Sequence, residues 1–339
     1  MRTALGRLRG ANNEGLLVAV IIVVAVAMSI ASPAFLTPGT FFALVRSSMV
    51  PLVFALGVLL VMISGGIDVS FPAIAIFAAY TTVRWAKDGN LDPGLVLIFV
   101  IAMVVGGLLG LFNGVVIARF RLPTLIVTLG TQTIYKGVLL TYIGSLYISA
   151  SELPKSITRL SDVHLWDVPG GGYLHFMIIP VVLVAVFIAW MLRWTMFGRS
   201  IYAIGGDAEA ARRVGIRVVR TQVWLYTLVG ALAALGGVVF VILGKNANPQ
   251  AIVGTELDII AAVVLGGASI FGGRGSVVGT VLGVVLVQLI NNNLVLVGIP
   301  STWQRAAVGM LLLLGVTAQA LGRTRARKRP VIVQKEVEA

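Results

Sequence analysis

Residues 94–118 read GLVLIFVIAMVVGGLLGLFNGVVIA, a run that contains no charged side chain. An α-helix rises about 1.5 Å per residue, so about 20 apolar residues cross the roughly 30 Å hydrocarbon core of a bilayer. This run is therefore long enough to span a membrane as a single helix, and we interpret the rest of the chain outward from it.

The composition of the whole chain agrees with this interpretation. Of the 339 residues, 58% are apolar and only 12% are charged, and the mean hydropathy is +1.00. A soluble domain carries roughly 25% charged residues, which is the supply that a water-exposed surface needs. The sequence therefore predicts an integral membrane protein, and in such a protein the net charge of +13 indicates basic cytoplasmic loops rather than a nucleic-acid partner.

Several kinds of chemistry are excluded or disfavoured by the residues that are missing. The chain has no cysteine and two histidines, His164 and His175. It cannot form a disulfide or a thiolate metal site, and a zinc site or a histidine proton relay is disfavoured. It also contains no G-x-x-x-x-G-K-[ST] phosphate-binding loop. We therefore expect no cofactor and no enzymatic activity, including ATP hydrolysis by that route.

Apolar runs of spanning length recur along the chain and predict about ten transmembrane helices in an all-α, polytopic fold. Two of the runs, 71–86 and 257–271, are short enough to be re-entrant hairpins instead. The predicted spans lie near residues 15–36, 43–63, 71–86, 94–118, 122–146, 173–195, 221–243, 257–271, 276–298 and 304–322.

The distribution of basic residues favours ten crossings with both termini in the cytoplasm. This arrangement places most of the 26 Lys and Arg residues inside, as the positive-inside rule requires. Residues 1–322 then form the membrane domain, with 147–172 as an outside loop, 196–220 as an inside loop and 323–339 as a basic cytoplasmic tail. The first run imitates a signal peptide, but its full spanning length favours a retained anchor.

The inside loop contains a predicted short helix, with residues suited to cap its start and its end. Asp207 is a good N-cap, Glu209 suits the positive end of the helix dipole, and Gly215 can adopt the left-handed conformation that ends a helix. Gly205-Gly206 before it would let the chain turn. Two turns of helix are unstable alone, so we expect it to dock, either on its own membrane domain or on a cytoplasmic partner. The candidate contact residues are Asp207, Glu209, Ala210, Arg212, Arg213 and Gly215.

A second candidate is the segment Ser64-Gly65-Gly66-Ile67-Asp68-Val69-Ser70. Paired glycines break a helix and permit close backbone approach. Asp68 is the only acidic residue between Glu14 and Asp88, and a carboxylate near the membrane is a functional candidate by default. The alternative is that Asp68 or Ser70 caps the following helix at the cytoplasmic surface. We retain both interpretations and include Gly65, Gly66, Asp68 and Ser70 in a candidate solute path.

A third candidate is a polar stripe on the 122–146 span. Thr124, Thr128, Gln132 and Lys136 recur every four residues and share one helix face, with Thr131 and Tyr135 beside them. Such a face must turn toward protein or an aqueous path. Thr128, Gln132 and Lys136 are therefore candidate path residues for a neutral polyhydroxylated solute. The alternative is that the stripe only joins helices by hydrogen bonds.

These motifs, taken in order, resemble the permease subunits of bacterial ATP-binding-cassette sugar importers, the ribose/xylose/arabinose/galactose group that includes autoinducer-2 permeases. The resemblance covers about residues 43–322. Where the family usually has a glycine after its Gly-Gly-Ile-Asp-Val motif, this chain has Phe71-Pro72. The matching stretches are Gly65-Gly66-Ile67-Asp68-Val69-Ser70, Phe197-Gly198-Arg199, Tyr202-Ala203-Ile204-Gly205-Gly206, Ala210-Ala211-Arg212-Arg213-Val214-Gly215-Ile216, and 256–267, which leads into a glycine-rich turn.

The resemblance implies a type II importer in the bacterial inner membrane. It implies two permease chains, identical or paralogous, around a central path, with two ATP-binding cassette subunits gripping the loops around 207–215. It also implies an extracytoplasmic binding protein that delivers a pentose, hexose, polyol or autoinducer-2. An ion-coupled secondary transporter and a polytopic membrane enzyme remain the alternatives, although few ionisable residues lie within the predicted spans.

Overall fold

The computed structural model describes residues 14–169 and 171–294, together with residues 300, 303, 304, 306, 309, 310 and 313. The described chain is mostly helical, as predicted. By length and composition, three of its helices could cross a membrane, or four if one bent pair counts as a single span. The predicted 304–322 span and the 323–339 tail fall largely or wholly outside the described residues, as do the basic residues of 1–13.

Five long helices precede the predicted outside loop. Each overlaps one of the apolar runs that were predicted as spans, and α5 passes into a π-helical turn at Leu139–Ile143. In chain order they are α1 (Glu14–Ala31), α2 (Pro38–Ile63), α3 (Phe71–Asp88), α4 (Leu95–Phe120) and α5 (Thr124–Val138).

The second half contains shorter elements and one small sheet. In chain order they are α6 (Lys155–Ser161), β1 (His164–Val168), β2 (Gly172–His175), α7 (Ile178–Trp194), α8 (Met196–Gly206), α9 (Ala208–Arg213), α10 (Val218–Gly244), α11 (Glu256–Leu265) and α12 (Val277–Asn293). Helices α7 and α8 meet at an angle of 73°, because Thr195 is extended (φ −99°, ψ 153°) and its hydroxyl caps α8 by accepting from the Gly198 amide.

Helix α10 is the centre of the bundle and packs against α2, α3 and α4. Its contact with α4 is the most extensive because glycines remove side chains from the interface. A Cβ on Gly110 would overlap the carbonyl oxygen of Tyr226 and lie 3.0 Å from the Cα of Gly230. The backbones of the two helices therefore touch directly, which fixes their distance.

Large apolar side chains remain exposed on the outer helices. The exposed fractions are 76% for Val96 and 60% for Leu108 on α4, and 62% for Leu183 on α7. A surface of this kind is costly in water and suits contact with lipid tails. The extent of the membrane domain stays a prediction.

Two elements differ from the sequence-based expectation. The outside loop forms an antiparallel hairpin in which Asp167 pairs with Tyr173, so the predicted span at 173–195 begins as β2 and its helix starts only at Ile178. The run at 257–271 is helical only to Leu265, because Gly266 and Gly267 end the helix and Gly267 adopts a positive φ of 90°. Ten residues of helix reach about 15 Å, which is half of a bilayer core.

Candidate functional site

Helix α9 begins as the sequence predicts. The Asp207 Oδ1 atom accepts hydrogen bonds from the amides of Ala210 (3.0 Å) and Glu209 (2.9 Å). These two bonds stabilise the carboxylate and hold the pKa of Asp207 below its usual value. Asp207 itself is extended (φ −159°, ψ 108°), which turns the chain out of α8 and into α9.

The end of α9 is a Schellman motif. Gly215 has a φ of 89°, the left-handed conformation that was predicted for it. Its amide donates to the Arg212 carbonyl at 3.0 Å, and the Ile216 amide donates to the Ala211 carbonyl at 3.1 Å. Both ends of this six-residue helix are therefore fixed by local hydrogen bonds rather than by its length.

Helix α9 is anchored by one small residue and exposes the rest. Ala211 is 3% exposed and packs with Ile204 and Val218 in a small apolar cluster. Val214, which follows the last residue of α9, is 78% exposed. The predicted contact residues lie on the exposed surface: Asp207, Glu209, Ala210, Arg212, Arg213 and Gly215.

The predicted role of Gly205 and Gly206 as a turn is wrong. Both lie inside α8, and the turn falls at Asp207. Gly205 instead allows close contact, since a Cβ there would overlap the carbonyl oxygen of Ile63 at the end of α2. Gly206 has open space around its Cα, so only the first glycine of the pair is required by packing.

A glycine junction, formed by Gly65, Gly205, Gly272 and Gly273, joins three segments at this point. The Gly273 amide donates to the Ile63 carbonyl at 2.9 Å. A Cβ on Gly272, whose φ is 85°, would lie 2.9 Å from the Cα of Gly65 and would overlap the carbonyl oxygen of Gly205. The end of α2, the end of α8 and the glycine-rich turn before α12 thus meet backbone to backbone.

Asp68 is buried in a polar chain and does not reach the surface. It is 1% exposed, and its Oδ1 accepts from both the amide and the hydroxyl of Ser70 at 2.7 Å. Asn113 on α4 donates to the Ser70 hydroxyl at 2.8 Å, and Tyr135 on α5 donates to Asn113 at 2.9 Å. Ser70 occupies the N-cap position of α3, as one form of the alternative expected, but its side chain makes no capping bond, and the path role of this segment stays a prediction.

The polar stripe of α5 faces the protein. The Thr124 hydroxyl accepts from the Ile67 amide at 3.0 Å, and the Thr128 hydroxyl accepts from the Val69 amide at 3.3 Å. Gln132 donates to Glu256 at the start of α11. These contacts are the joining role that was the alternative for the stripe, while the path role of Thr128, Gln132 and Lys136 stays a prediction.

A cavity of about 800 Å³ lies elsewhere, between α2, α10, α11 and α12. None of the described residues that line it belongs to the 64–70 segment or to α5. Sequence analysis missed this cavity because its polar residues are far apart in the chain. The available signals were two polar features inside predicted spans, namely Arg46 and the pair Asn291-Asn292.

The β1–β2 hairpin is joined by a hydrogen bond to Arg46, which lines this cavity. Arg46 donates to the hydroxyl of Tyr173 on β2 and to the Leu243 carbonyl, the latter at 2.7 Å. Its guanidinium also lies 5.6 Å from the centre of the Tyr173 ring. An ion pair between Asp162 and Lys245 binds the same loop to the end of α10.

The mostly helical fold, with three or four described helices that could cross a membrane, is consistent with a polytopic membrane permease. Residues 40–316 match the family model described as "Branched-chain amino acid transport system / permease component". The chain belongs to this family. It is the permease subunit of an ATP-binding-cassette importer, a transport component rather than an enzyme, and family membership implies ATPase and binding-protein partners and a membrane location.

Individual relatives indicate which kinds of import permease this chain is similar to. The chain is 36% identical over 307 residues to the ribose import permease protein RbsC of Bacillus subtilis (strain 168), covering 89% of each chain. It is 33% identical over 302 residues to the autoinducer 2 import system permease protein LsrC of Yersinia pseudotuberculosis serotype O:3 (strain YPIII), covering 89% of this chain and 83% of the relative. No solved structure gives a significant match.

Proposed function

We propose that two such chains, identical or paralogous, form the path of an importer for a sugar or sugar-like solute in the bacterial inner membrane. The observation that carries the proposal is the doubly capped helix α9, which exposes its charged side chains and is joined through Gly205 to the end of α2. A rigid, exposed two-turn helix is suited to transmit force from a bound partner.

In this proposal the chain crosses the membrane ten times and keeps both termini in the cytoplasm. The bias of basic residues toward the segments assigned to the inside supports this orientation. Helix α11 then either completes a crossing together with the glycine-rich turn or enters from one side as a re-entrant segment. Helix α9 lies on the cytoplasmic side, where ATP-binding subunits can reach it.

The coupling route starts at α9 and passes through two contacts. ATP-driven closure of the partner subunits displaces α9 and, with it, α8. Because Gly205 touches the Ile63 carbonyl directly, α8 cannot move without displacing the end of α2 and the Gly65-Gly66 segment. The Asp68–Ser70–Asn113–Tyr135 chain carries the movement on to α4 and α5.

The solute is a sugar or a sugar-like molecule delivered by an extracytoplasmic binding protein. The names of the relatives specify ribose and autoinducer 2 import, which supports a small polyhydroxylated solute here. We propose Gly65, Gly66, Asp68 and Ser70 as the movable part of the path. Thr128, Gln132 and Lys136 would form its polar wall on α5.

Reconstitution separates this function from ion-coupled transport. Purified permease, ATPase subunits and binding protein in lipid vesicles are expected to accumulate labelled D-ribose or another sugar only with ATP. Accumulation by the permease alone on a proton or sodium gradient would contradict the proposal.

A single α5 variant tests the path wall. Gln132→Leu removes the hydrogen bond to Glu256 and is expected to change the uptake rate without changing ATPase binding. An unchanged rate and an unchanged substrate affinity would leave Gln132 as a packing residue.

A further inference from the structure

The cavity between α2 and α12 has the size of a small-molecule site. Its volume of about 800 Å³ falls within the range of about 300–1,000 Å³ that is typical of such sites. Two aromatic side chains, Phe54 on α2 and Phe240 on α10, contribute to its wall. An aromatic wall beside a few polar groups is the usual composition of a ligand pocket.

One face of α12 supplies amides to this cavity. Gln288, Asn291 and Asn292 all line it, and positions i, i+3 and i+4 share a helix face. Each amide can both donate and accept, so together they match hydroxyl groups better than they match a carboxylate or an ammonium.

The charges at the cavity favour a neutral ligand. Among the described residues that line it, the cation is Arg46 and the anion is Asp258, so their formal charges cancel. Arg46 is held in place by the Tyr173 hydroxyl and the Leu243 carbonyl. A guanidinium has five N–H donors, so donors remain for a ligand after these two bonds are made.

We propose that this cavity is a binding site for a neutral polyhydroxylated solute, such as a monosaccharide, and that Arg46, Gln288 and Asn292 contact it. The inference rests on the proposed function and places a solute-binding site between α2 and α12, in addition to the proposed polar wall on α5. Because Arg46 also bonds to the outside hairpin, the site lies where a solute released at the outer face would arrive.

The test uses the complete importer in vesicles and measures ATP-driven uptake of labelled D-ribose, D-galactose and a linear polyol. Gln288→Met keeps the shape of the side chain but removes its hydrogen-bonding amide. Losing one or two hydrogen bonds to the solute is expected to lower the uptake rate at limiting solute by about tenfold. Gln222→Met, at the cytoplasmic start of α10 and outside the cavity lining, is the matched control and is expected to leave uptake unchanged.

A labelling measurement covers the case in which a variant folds poorly. The chain has no cysteine, so Asn292→Cys creates one reactive site in the cavity and Ser151→Cys creates one on the outside loop. Transported solute is expected to slow maleimide labelling at position 292 and not at position 151. If wild-type importer accumulates sugar while Gln288→Met is unaffected and position 292 is unprotected, the cavity inference fails and the proposed function stands. If wild-type importer accumulates none of the three solutes on ATP, both fail.

Discussion

The Cα atom of Gly205 lies so close to the carbonyl oxygen of Ile63 that no side chain fits between them. The two residues belong to α8 and α2, which are distant in sequence. The Ile63 carbonyl also accepts from the Gly273 amide at 2.9 Å, so this one oxygen is a contact point for three segments. It connects the exposed helix α9 to the interior of the bundle.

Gly205→Ala tests this connection. The added methyl would push α8 away from α2, and overpacking of this kind costs about 1–3 kcal/mol. We expect ATP-driven uptake to fall about tenfold while the protein still inserts into the membrane. Gly206→Ala is the matched control, because a Cβ at Gly206 has nothing within 4 Å. Equal activity of the two variants would show that the close contact does not transmit force.

Substitutions at Gly215 test whether uptake depends on the left-handed backbone conformation at the end of α9. Its φ of 89° is strained for a β-branched residue by about 1–3 kcal/mol, so Gly215→Val is expected to distort the end of the helix and abolish uptake. Gly215→Asn tolerates a left-handed backbone and should retain most activity. Measuring ATPase binding and uptake for both variants distinguishes a conformational effect from a loss of the side-chain-free surface, which would affect both variants equally.

Helix α9 could be predicted from the sequence because its ends depend on local chemistry. Contacts between distant segments could not be predicted in this way. Asp207 and Gly215 act on amides and carbonyls within a few residues of themselves, so their roles follow from residue type and spacing. The contact of Gly205 with Ile63, and that of Arg46 with Tyr173, depend on how whole helices pack. For this reason the sequence pattern predicted only a turn at Gly205.

The hairpin and the end of α11 were missed for a related reason. Tyr173 and Leu174 continue the apolar run of the next span, so the run was assigned to helix although β1 offered a pairing partner. In the 257–271 run, Gly266 and Gly267 are compatible with an apolar span by composition. Their backbone conformation ends the helix at Leu265. This conformation cannot be inferred from the apolar composition of the run.

Tyr173→Phe tests whether the outside hairpin positions Arg46. The variant keeps the ring that stacks on His164, with centroids 3.8 Å apart, and removes only the hydroxyl that accepts from Arg46. We expect a several-fold lower uptake rate at saturating binding protein, because Arg46 keeps only the hydrogen bond to the Leu243 carbonyl and is held less firmly at the cavity. Tyr142→Phe, at a position that is 80% exposed, is the control. An unchanged rate in the Tyr173 variant would contradict a positioning role.

The outside loop should loosen in acid through Glu152. Its hydrogen bond from Lys87, aided by bonds from Ser149, lowers the pKa of Glu152 from 4.5 to about 2. Because the folded-state pKa is the lower one, this contribution is present above pH 4.5 and is lost as the pH falls toward 2. After correction for the slower intrinsic exchange in acid, hydrogen exchange of residues 149–161 is expected to become faster over this range. In Lys87→Gln the faster exchange should already be present at neutral pH, and an unchanged profile in that variant would exclude the pairing as its cause.

Cross-linking at α9 tests the central claim, that force from an ATP-binding subunit enters through this helix. Ala210 is exposed, whereas the adjacent Ala211 is 3% exposed, and the cysteine-free chain makes Ala210→Cys and Ala211→Cys a matched pair. In the assembled importer, a cysteine at 210 is predicted to cross-link to the ATP-binding subunit in a nucleotide-dependent manner, and a cysteine at 211 is not. If the importer drives ATP-dependent uptake while position 210 cross-links to no ATP-binding subunit in any nucleotide state, the account is contradicted.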